Sequence, residues 1–178
     1  MRAEELIKEL EKISQGISMK APETNRLIVN VEKERVMPVL RFLKGEDYDH
    51  LALISCVDWM EEGEFELVYI ISSYLKEDNE RTGGERPGVI LKSRISREEG
   101  RFYTVIPVFR NAEPYEREIH ELFGINFEGH PRLTPLLLER EYDIPPFRKD
   151  FDTRKYVREV FGKIPFIGKK RDPHIESV

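Results

Sequence analysis

The spacing of apolar and polar residues divides the first half of the chain into alternating helix-like and strand-like segments. Four aliphatic residues between positions 6 and 13 recur at helical spacing with acids and lysines between them, which predicts an amphipathic helix over residues 3–13. Alternating apolar residues in "NRLIVNVE" predict a strand. The segment "KERVMPVLRFLKG" returns to helical spacing and ends at Gly45, a typical helix terminator.

The middle of the chain consists of apolar runs rich in β-branched residues. "LALISCVDW" and "EFELVYIISSYL", joined by the acidic turn "MEEGE", predict a β-hairpin, and "VILKSRIS" and "FYTVIPVF" predict two more strands. A helix is predicted over residues 114–123, with Pro114 in its first turn and Gly124 after its end. This order predicts an α+β fold in which a mostly antiparallel sheet carries helices on one face.

The composition changes after residue 130. Six of the eleven prolines lie in residues 131–178, where 11 Lys/Arg and 8 Asp/Glu give a net charge of +3, whereas residues 1–130 carry −8. A proline-rich, mildly basic segment with scattered apolar residues cannot build its own core. We therefore predict an α+β core domain over residues 1–130 and an extended tail over residues 131–178 that lies on a partner.

The composition also excludes several classes of function. Cys56 is the only cysteine, which excludes an intrachain disulfide, a thiolate zinc site and a four-cysteine iron–sulfur cluster, and its apolar neighbours indicate a buried thiol. The net charge of −5 disfavours nucleic-acid binding. No apolar run approaches the ~20 residues that cross a bilayer, and the first twelve residues are too charged for a signal peptide. We expect an intracellular protein that is soluble or is attached to a membrane only through a partner.

Acids and histidines are concentrated in "YEREIHELFGINFEGHP", residues 115–131, which is open to more than one interpretation. Glu116 and His120 share a helix face, and His130 follows, so that a metal site is one alternative, although the spacing is not that of zinc helices or di-iron bundles. Acid–base catalysis is another, but no nucleophile motif or phosphate-binding loop accompanies it. A solvated helix with internal ion pairs and a protein–protein interface are the remaining alternatives.

"EREIHELFGINFEGHP", followed by "PPFRKDF", resembles the signature of the C subunit of respiratory complex I. Glu121 stands where that family has Asp, and six further positions depart from its pattern: His120, Arg132, Thr134-Pro135 and Ile144-Pro145. These departures make the chain look more like the related subunit of energy-converting, membrane-bound nickel–iron hydrogenases. The positions that match the family are Glu116, Arg117, Glu118, Phe123, Gly124, Ile125, Phe127, Gly129, His130, Pro131, Pro146, Arg148, Lys149, Asp150 and Phe151.

The resemblance implies a non-catalytic subunit that binds no cofactor. In that family the subunit belongs to the cytoplasmic arm of a membrane complex, at the inner face of the membrane, where it braces the large subunit beside the iron–sulfur small subunit. The alternative from another class is a free-standing, metal-dependent enzyme that uses His120, His130 and nearby glutamates. The residues expected to bind a partner are Glu116, Arg117, Glu118, Glu121, Gly129, His130, Pro131, Arg148, Lys149 and Asp150.

Two of these expectations are specific enough to compare with a structure. Arg117, flanked by acids, is expected to lie in an ion-paired hub between its helix and neighbouring segments. Arg148 and Lys149 are expected to pair with acids of the partner subunit, because charge-assisted hydrogen bonds are the strongest polar contacts that a tail can make.

Overall fold

The structure, a computed structural model, describes residues 3–13, 18–20, 26–74, 87–139 and 142–162. None of the helices in these ranges is long and apolar enough to cross a membrane. The helices and strands, in chain order, are α1 (Ala3–Ile13), β1 (Ser18–Lys20), β2 (Arg26–Asn30), α2 (Lys33–Gly45), β3 (His50–Trp59), β4 (Glu64–Ser72), β5 (Gly88–Ser96), β6 (Arg101–Tyr103), α3 (Ala112–Phe123), β7 (Asn126–Glu128) and α4 (Thr153–Phe161).

Five strands form the main sheet, in the order β1-β2-β5-β4-β3. The pairs β3–β4, β4–β5 and β1–β2 are antiparallel, and only β2–β5 is parallel. The β3–β4 hairpin closes through a turn in which Gly63 has a φ of +68°, a conformation that favours glycine. The prediction of an α+β fold with a mostly antiparallel sheet is confirmed.

The core lies on one face of this sheet. Alternate residues of β4 and β5 stand opposite each other on that face and are buried, as in the pairs Tyr69–Leu91 and Ile71–Val89. Helices α1, α2 and α3 add buried residues, among them Leu10, Leu40 and Ile119, to the same hydrophobic cluster. The predicted packing of helices on one face is therefore confirmed.

The strand expected over "FYTVIPVF" is shorter than predicted. It ends as β6 at Tyr103, and the N–H groups of Val108 and Phe109 both donate to the carbonyl of Val105, so that the chain turns. Pro107, which has no N–H, lies inside this turn. Strand β6 instead pairs in parallel with β7 in a second, two-stranded sheet.

The first part of the predicted tail is attached to the core domain, and its second part is helical. Residues 134–138 and 147–150 hydrogen-bond to α3 and to the main sheet. Helix α4 has no buried residue and is capped by Asp152, whose side chain accepts from the N–H groups of Arg154 and Lys155. The domain boundary after residue 130 stays a prediction, and the tail beyond residue 162 lies outside the described residues.

Candidate partner-binding site

Helix α3 connects the core to the tail. Its C-terminus is set by Gly124, which adopts the left-handed conformation (φ +76°) and donates its N–H to the carbonyl of His120. One face of the helix, with Ile119 and Leu122, is buried in the core. Arg117 and Glu121, four residues apart on another face, both hydrogen-bond to the tail.

Glu116 is fully buried, and its carboxylate accepts hydrogen bonds from groups of its own chain. Oε2 accepts from the hydroxyl of Thr104 at 2.6 Å, and Oε1 accepts from the N–H of Val105 at 2.7 Å. Burial raises the pKa of Glu116 to about 7, although these two hydrogen bonds oppose the shift. The side chain thus connects α3 to the segment that follows β6.

Arg117 holds the start of the tail. Its Nε donates to the carbonyl of Thr134 at 3.0 Å and its Nη2 to that of Pro135 at 2.9 Å, while Nη1 lies 3.3 Å from the Glu113 carboxylate. The expected hub around Arg117 is therefore built mainly from backbone carbonyls, with one ion pair within its own helix. Glu118, on the same helix, is half-buried.

Glu121 receives three consecutive backbone N–H groups of the tail. Its carboxylate accepts from Leu136 at 3.1 Å, from Leu137 at 2.8 Å and from Leu138 at 2.7 Å. Partial burial raises the pKa of Glu121, but these three hydrogen bonds and the nearby Arg117 outweigh that effect, so that the pKa is lowered. The Leu-rich start of the tail is thereby held in one conformation.

The two histidines of the quoted motif are bound to the backbone. Nδ1 of His120 lies 2.9 Å from the carbonyl of Ile125. His130 accepts from the N–H of Arg132 through Nδ1 at 3.0 Å, and its Nε2, 3.3 Å from the carbonyl of Glu113, is then the donor of a neutral imidazole. Among the residues that the structure describes, no three His, Cys, Asp or Glu side chains are grouped so as to hold a metal ion. The geometry therefore adds no support to the metal-enzyme alternative.

A buried aspartate and an arginine fasten residues 149 and 150 of the tail to the sheet. Asp58 accepts from Nε of Arg97 at 2.9 Å, from Nη2 of Arg97 at 3.3 Å and from the N–H of Lys149 at 2.8 Å. Nη2 of Arg97 also lies 2.6 Å from Asp150 Oδ1. Partial burial raises the pKa of Asp150, but Arg97 outweighs it and the pKa is lowered. We call Asp58, Arg97 and Asp150 the latch.

Arg148 lies at the junction of the tail, α3 and the core. Its Nε donates to the carbonyl of Phe123 at 2.6 Å, and its guanidinium carbon lies 5.3 Å from the centre of the Phe65 ring. A Cβ at Gly124 would come within 2.9 Å of Nη2 of Arg148 and 3.0 Å of Pro145 Cγ. Gly124 thus allows the left-handed turn after α3 and also leaves room for Pro145 and Arg148 of the tail.

The sequence-predicted residues fall into two groups. Glu116, Arg117, Glu121, Arg148 and Asp150 all bind segments of their own chain. In the second group Gly129 (φ +84°), Pro131 and Lys149 are exposed, and Glu118 and His130 are half-buried; the ammonium group of Lys149 lies 5.9 Å from the centre of the Trp59 ring. Contact of any of these residues with a partner stays a prediction.

Sequence reasoning missed Asp58 and Arg97. The signal was an acid inside the otherwise apolar run "LISCVDW", since a charged side chain on a buried face requires a partner. The partner could not be found from local spacing, because Lys149 is 91 residues away from Asp58 and Arg97 is 39 away.

The tail carries much of the exposed apolar surface of the described residues. Eleven large apolar side chains in those ranges are exposed, and six of them belong to the tail: Leu136, Leu137, Ile144, Phe147, Val160 and Phe161. We call these six residues the tail strip. Their concentration in one segment of the chain agrees with a segment that another molecule covers.

Comparison with known proteins agrees with this architecture. The chain is 38% identical over 130 residues to the C subunit of the F(420)H(2) dehydrogenase of Methanosarcina mazei, covering 71% of this chain and 76% of that one. It is 30% identical over 141 residues to the C/D subunit of the NADH-quinone oxidoreductase of Blochmanniella pennsylvanica, covering 74% of this chain but only 22% of that relative.

A solved chain of the membrane-bound sulfane sulfur reductase, an archaeal respiratory membrane complex, superposes with a TM-score of 0.78 at 28% identity over 97% of this chain and 98% of that one. The family model of the respiratory-chain NADH dehydrogenase 30 Kd subunit matches residues 29–157. The chain belongs to the family of the 30 Kd subunit of respiratory-chain NADH dehydrogenase.

Proposed function

We propose that this chain is a non-catalytic scaffold subunit of a redox-driven, ion-translocating respiratory complex. In this proposal it lies in the cytoplasmic arm, at the inner face of the membrane, and braces the large subunit beside the iron–sulfur small subunit without a cofactor of its own. The relatives are named for different electron-transfer reactions: F(420)H(2) dehydrogenation, quinone reduction and sulfane sulfur reduction. A role common to all three is structural rather than chemical.

The tail strip is the observation that carries this proposal. Leu137 and Phe161 are 61% and 62% exposed, and each large apolar side chain that a partner fully covers would contribute roughly 1.5–3 kcal/mol. Exposure of six such side chains to water is unfavourable in free energy, and cover by a neighbouring subunit would remove that cost. We infer that it is covered by the large subunit.

The way in which the tail is held supports the same role. Arg117 and Glu121 bind backbone groups at its start, and the latch binds residues 149 and 150. A segment that is ordered before binding loses less conformational entropy when a partner covers it. The motif residues Glu116, Arg117, Glu121, Arg148 and Asp150 therefore act by presenting the tail, and Lys149, Gly129, His130 and Pro131 remain candidates for direct contact.

Helix α4 also fits a subunit interface. It is nine residues long, which is short for a helix that is stable by itself in water. Val160 and Phe161 are exposed on it, and Tyr156 packs 5.6 Å, centre to centre, from the ring of Phe151. Cover by a partner would stabilise the helix.

Assembly of variants in the native host tests the proposal. Leu137→Glu and Phe161→Glu put a charge on the tail strip without removing an intramolecular hydrogen bond of their side chains, so we expect normally folded chains that no longer co-purify with the large and small subunits. Met60→Glu, at a side chain 44% exposed and outside the tail, is the matched control and should assemble normally. Normal assembly of both tail variants would refute the proposal.

A further inference from the structure

A pocket in the tail lies between helix α4 and the segment that precedes it, and its cavity volume is about 400 Å³. Its apolar and aromatic lining residues are Tyr142, Ile144, Phe151, Tyr156 and Val160. Its charged lining residues are Asp143, Asp150, Asp152, Lys155 and Glu159. The three aromatic residues are half-buried and the five charged residues are exposed, so that the rings form the inner wall and the charges form the rim. We call this cavity the α4 pocket.

The inner wall is a cluster of three aromatic rings. The ring centre of Tyr142 lies 5.0 Å from that of Tyr156 and 5.8 Å from that of Phe151, and the centres of Phe151 and Tyr156 are 5.6 Å apart. Rings at these separations pack against one another, so that the wall keeps its shape before a partner arrives. Because aromatic faces attract cations, such a wall accepts a cationic side chain as well as an apolar one.

The rim is negatively charged. Four carboxylates line it, against the ammonium group of Lys155 and the guanidinium of Arg97, which pairs with Asp150 at 2.6 Å, and the net charge is therefore −2. Asp143 and Glu159 are exposed, and neither side chain has a hydrogen bond or an ion pair with another residue that the structure describes. Even when Lys155 pairs with Glu159, one helical turn further on, the carboxylate of Asp143 is left.

The other cations in the described part of this segment point away from the pocket. The charged groups of Arg148 and Lys149 lie over aromatic rings of the main sheet. The pocket-lining residues of α4 recur three and four positions apart on one face, and Arg154 and Arg158 are on the opposite face of the helix. The negative charge of the rim is therefore not cancelled by these neighbours.

The α4 pocket is continuous with the tail strip. Ile144 and Val160 belong to the strip, line the pocket and are 39% and 40% exposed. A subunit that covers the strip therefore also closes the pocket and removes water from the carboxylates of Asp143 and Glu159. A carboxylate that loses its water needs a cation or hydrogen-bond donors in exchange, so that the covering subunit has to supply them.

We propose that the α4 pocket receives an arginine side chain of the large subunit. The stem of that arginine would pack on Ile144, Val160 and the aromatic wall, and its guanidinium group would meet Asp143 and Glu159. Arginine suits both parts of the pocket, because its planar group stacks on aromatic rings and donates two parallel hydrogen bonds to a carboxylate. This inference rests on the proposed function, because that proposal places the large subunit on the tail strip.

Two other sources of a cation are outcomes of the test. A lysine of the large subunit fits the pocket less well, since its ammonium group is a compact, strongly hydrated charge that does not stack. Residues 163–178 of this chain carry three lysines and one arginine, and they are the competing source within the same chain. The large subunit is favoured because the pocket and the tail strip share residues.

Site-specific photo-crosslinking in the assembled complex identifies the occupant. A photoreactive amino acid is introduced separately at position 143 on the rim, at position 137 on the tail strip, and at the exposed position 61 in the β3–β4 turn, which reports the background. We expect position 143 to cross-link to a peptide of the large subunit that contains an arginine. No cross-link above background from 143, or cross-links only to peptides without arginine or to residues 163–178 of the same chain, would overturn the inference.

Position 137 separates this inference from the proposed function. Cross-links from 137 to the large subunit, together with one of the contrary results at 143, would leave the proposed function standing. Cross-links to no other subunit from either position would overturn both proposals.

Reversal of the rim charge is an independent test. Asp143→Lys combined with Glu159→Lys removes no hydrogen bond between described side chains, so we expect a folded chain whose yield of assembled complex falls at least tenfold. Glu61→Lys combined with Glu62→Lys, the same change at two exposed acids of the β3–β4 turn, is the matched control and should lower the yield less than twofold. The neutral pair Asp143→Asn and Glu159→Gln should lower it at least threefold.

A charge exchange completes the test. In the complex with the two lysines in the pocket, replacing the cross-linked arginine of the large subunit by glutamate should raise the yield at least fivefold, because opposite charges again face each other. Equal yields for the pocket pair and the control pair, an undiminished yield for the neutral pair, or no rescue by the glutamate would each overturn the inference.

Discussion

At the scale of single residues, Glu116 combines burial with a raised pKa. Its carboxylate is fully buried beside Thr104 and Val105, and its pKa of about 7 in the folded chain compares with about 4.5 when it is free in water. Folding therefore takes up a proton between these two values. The stability that this group supplies is fully present below pH ~4.5 and is lost as the pH rises through about 7.

The variant Glu116→Gln keeps the shape of the protonated carboxyl and removes its titration. We expect the free energy of unfolding of the variant, relative to the parent chain, to rise by about 3 kcal/mol between pH 4.5 and pH 8, because one pKa unit corresponds to about 1.4 kcal/mol. Urea denaturation at both pH values measures this difference. Glu118→Gln, at a half-buried position in the same helix, controls for the loss of a helix charge. A difference that does not vary with pH would contradict the argument.

Two features require a glycine at position 124: its left-handed backbone conformation, and the closeness of the Arg148 side chain. Gly124→Ala introduces a Cβ at a φ of +76° and 2.9 Å from Nη2 of Arg148. We expect the free energy of unfolding to fall by about 1–3 kcal/mol, since the left-handed conformation alone costs about 1–2 kcal/mol for an L-residue. Gly45→Ala is the control, because no atom lies within 4 Å of the added Cβ. Equal effects of the two variants on the melting temperature would refute the proposed role.

At the scale of elements, long strands with alternating apolar and polar residues could be predicted from the sequence. Short strands, and elements interrupted by prolines and charges, could not. Strands β3, β4 and β5 have nine or ten residues each, and one apolar face on each made the hairpin and the sheet predictable. Strands β1 and β7 have three residues each, which is too few for any period. Helix α4 was missed because it lies in a segment whose prolines and charges suggested an extended chain.

The candidate site was also predictable only in part. The α3 motif was visible because all of its residues lie on one helix, and "FRKDF" was recognised by its resemblance. The contacts between them were not predictable, because Arg117 and Glu121 bind backbone groups, which have no sequence signature. Asp58 was not predictable either, because its partners, Arg97 just after β5 and the N–H of Lys149 in the tail, lie far from it in the sequence.

The latch joins these distant elements, and its contribution can be measured locally. Asp58→Ala leaves Arg97 and the N–H of Lys149 without their buried acceptor. We expect the free energy of unfolding to fall by about 2–3 kcal/mol and amide hydrogen exchange at Lys149 to accelerate at least tenfold, because hydrogen bonds to charged groups contribute about 1.5–3 kcal/mol.

Glu64→Ala is the matched control for the latch. It removes another acid that pairs with an arginine of β5, but both side chains of that pair are about two-fifths exposed, so that its loss should cost under about 1 kcal/mol. Exchange at Lys149 that is unchanged in Asp58→Ala would mean that the tail is held without the latch.

At the scale of the whole molecule, the tail has two parts that truncation can separate. Residues 134–138 and 147–150 bind to α3 and to the sheet, whereas α4 has no buried residue. A chain that ends after residue 151 keeps the latch and the contacts of Arg148. A chain that ends after residue 130 loses both, together with the backbone groups that Arg117 and Glu121 bind.

We therefore expect the chain ending at residue 151 to melt cooperatively within a few degrees of the full chain and to assemble poorly, since it lacks α4. The chain ending at residue 130 should still fold as a soluble α+β domain, but with a free energy of unfolding lower by about 2–5 kcal/mol, because several partly buried hydrogen bonds are lost. It should not co-purify with the assembly.

Calorimetry and co-purification from the native host measure these outcomes. Normal assembly of the shorter chain would show that the core alone binds the partners, and a melting temperature equal to that of the full chain would show that residues 131–151 contribute nothing to the fold.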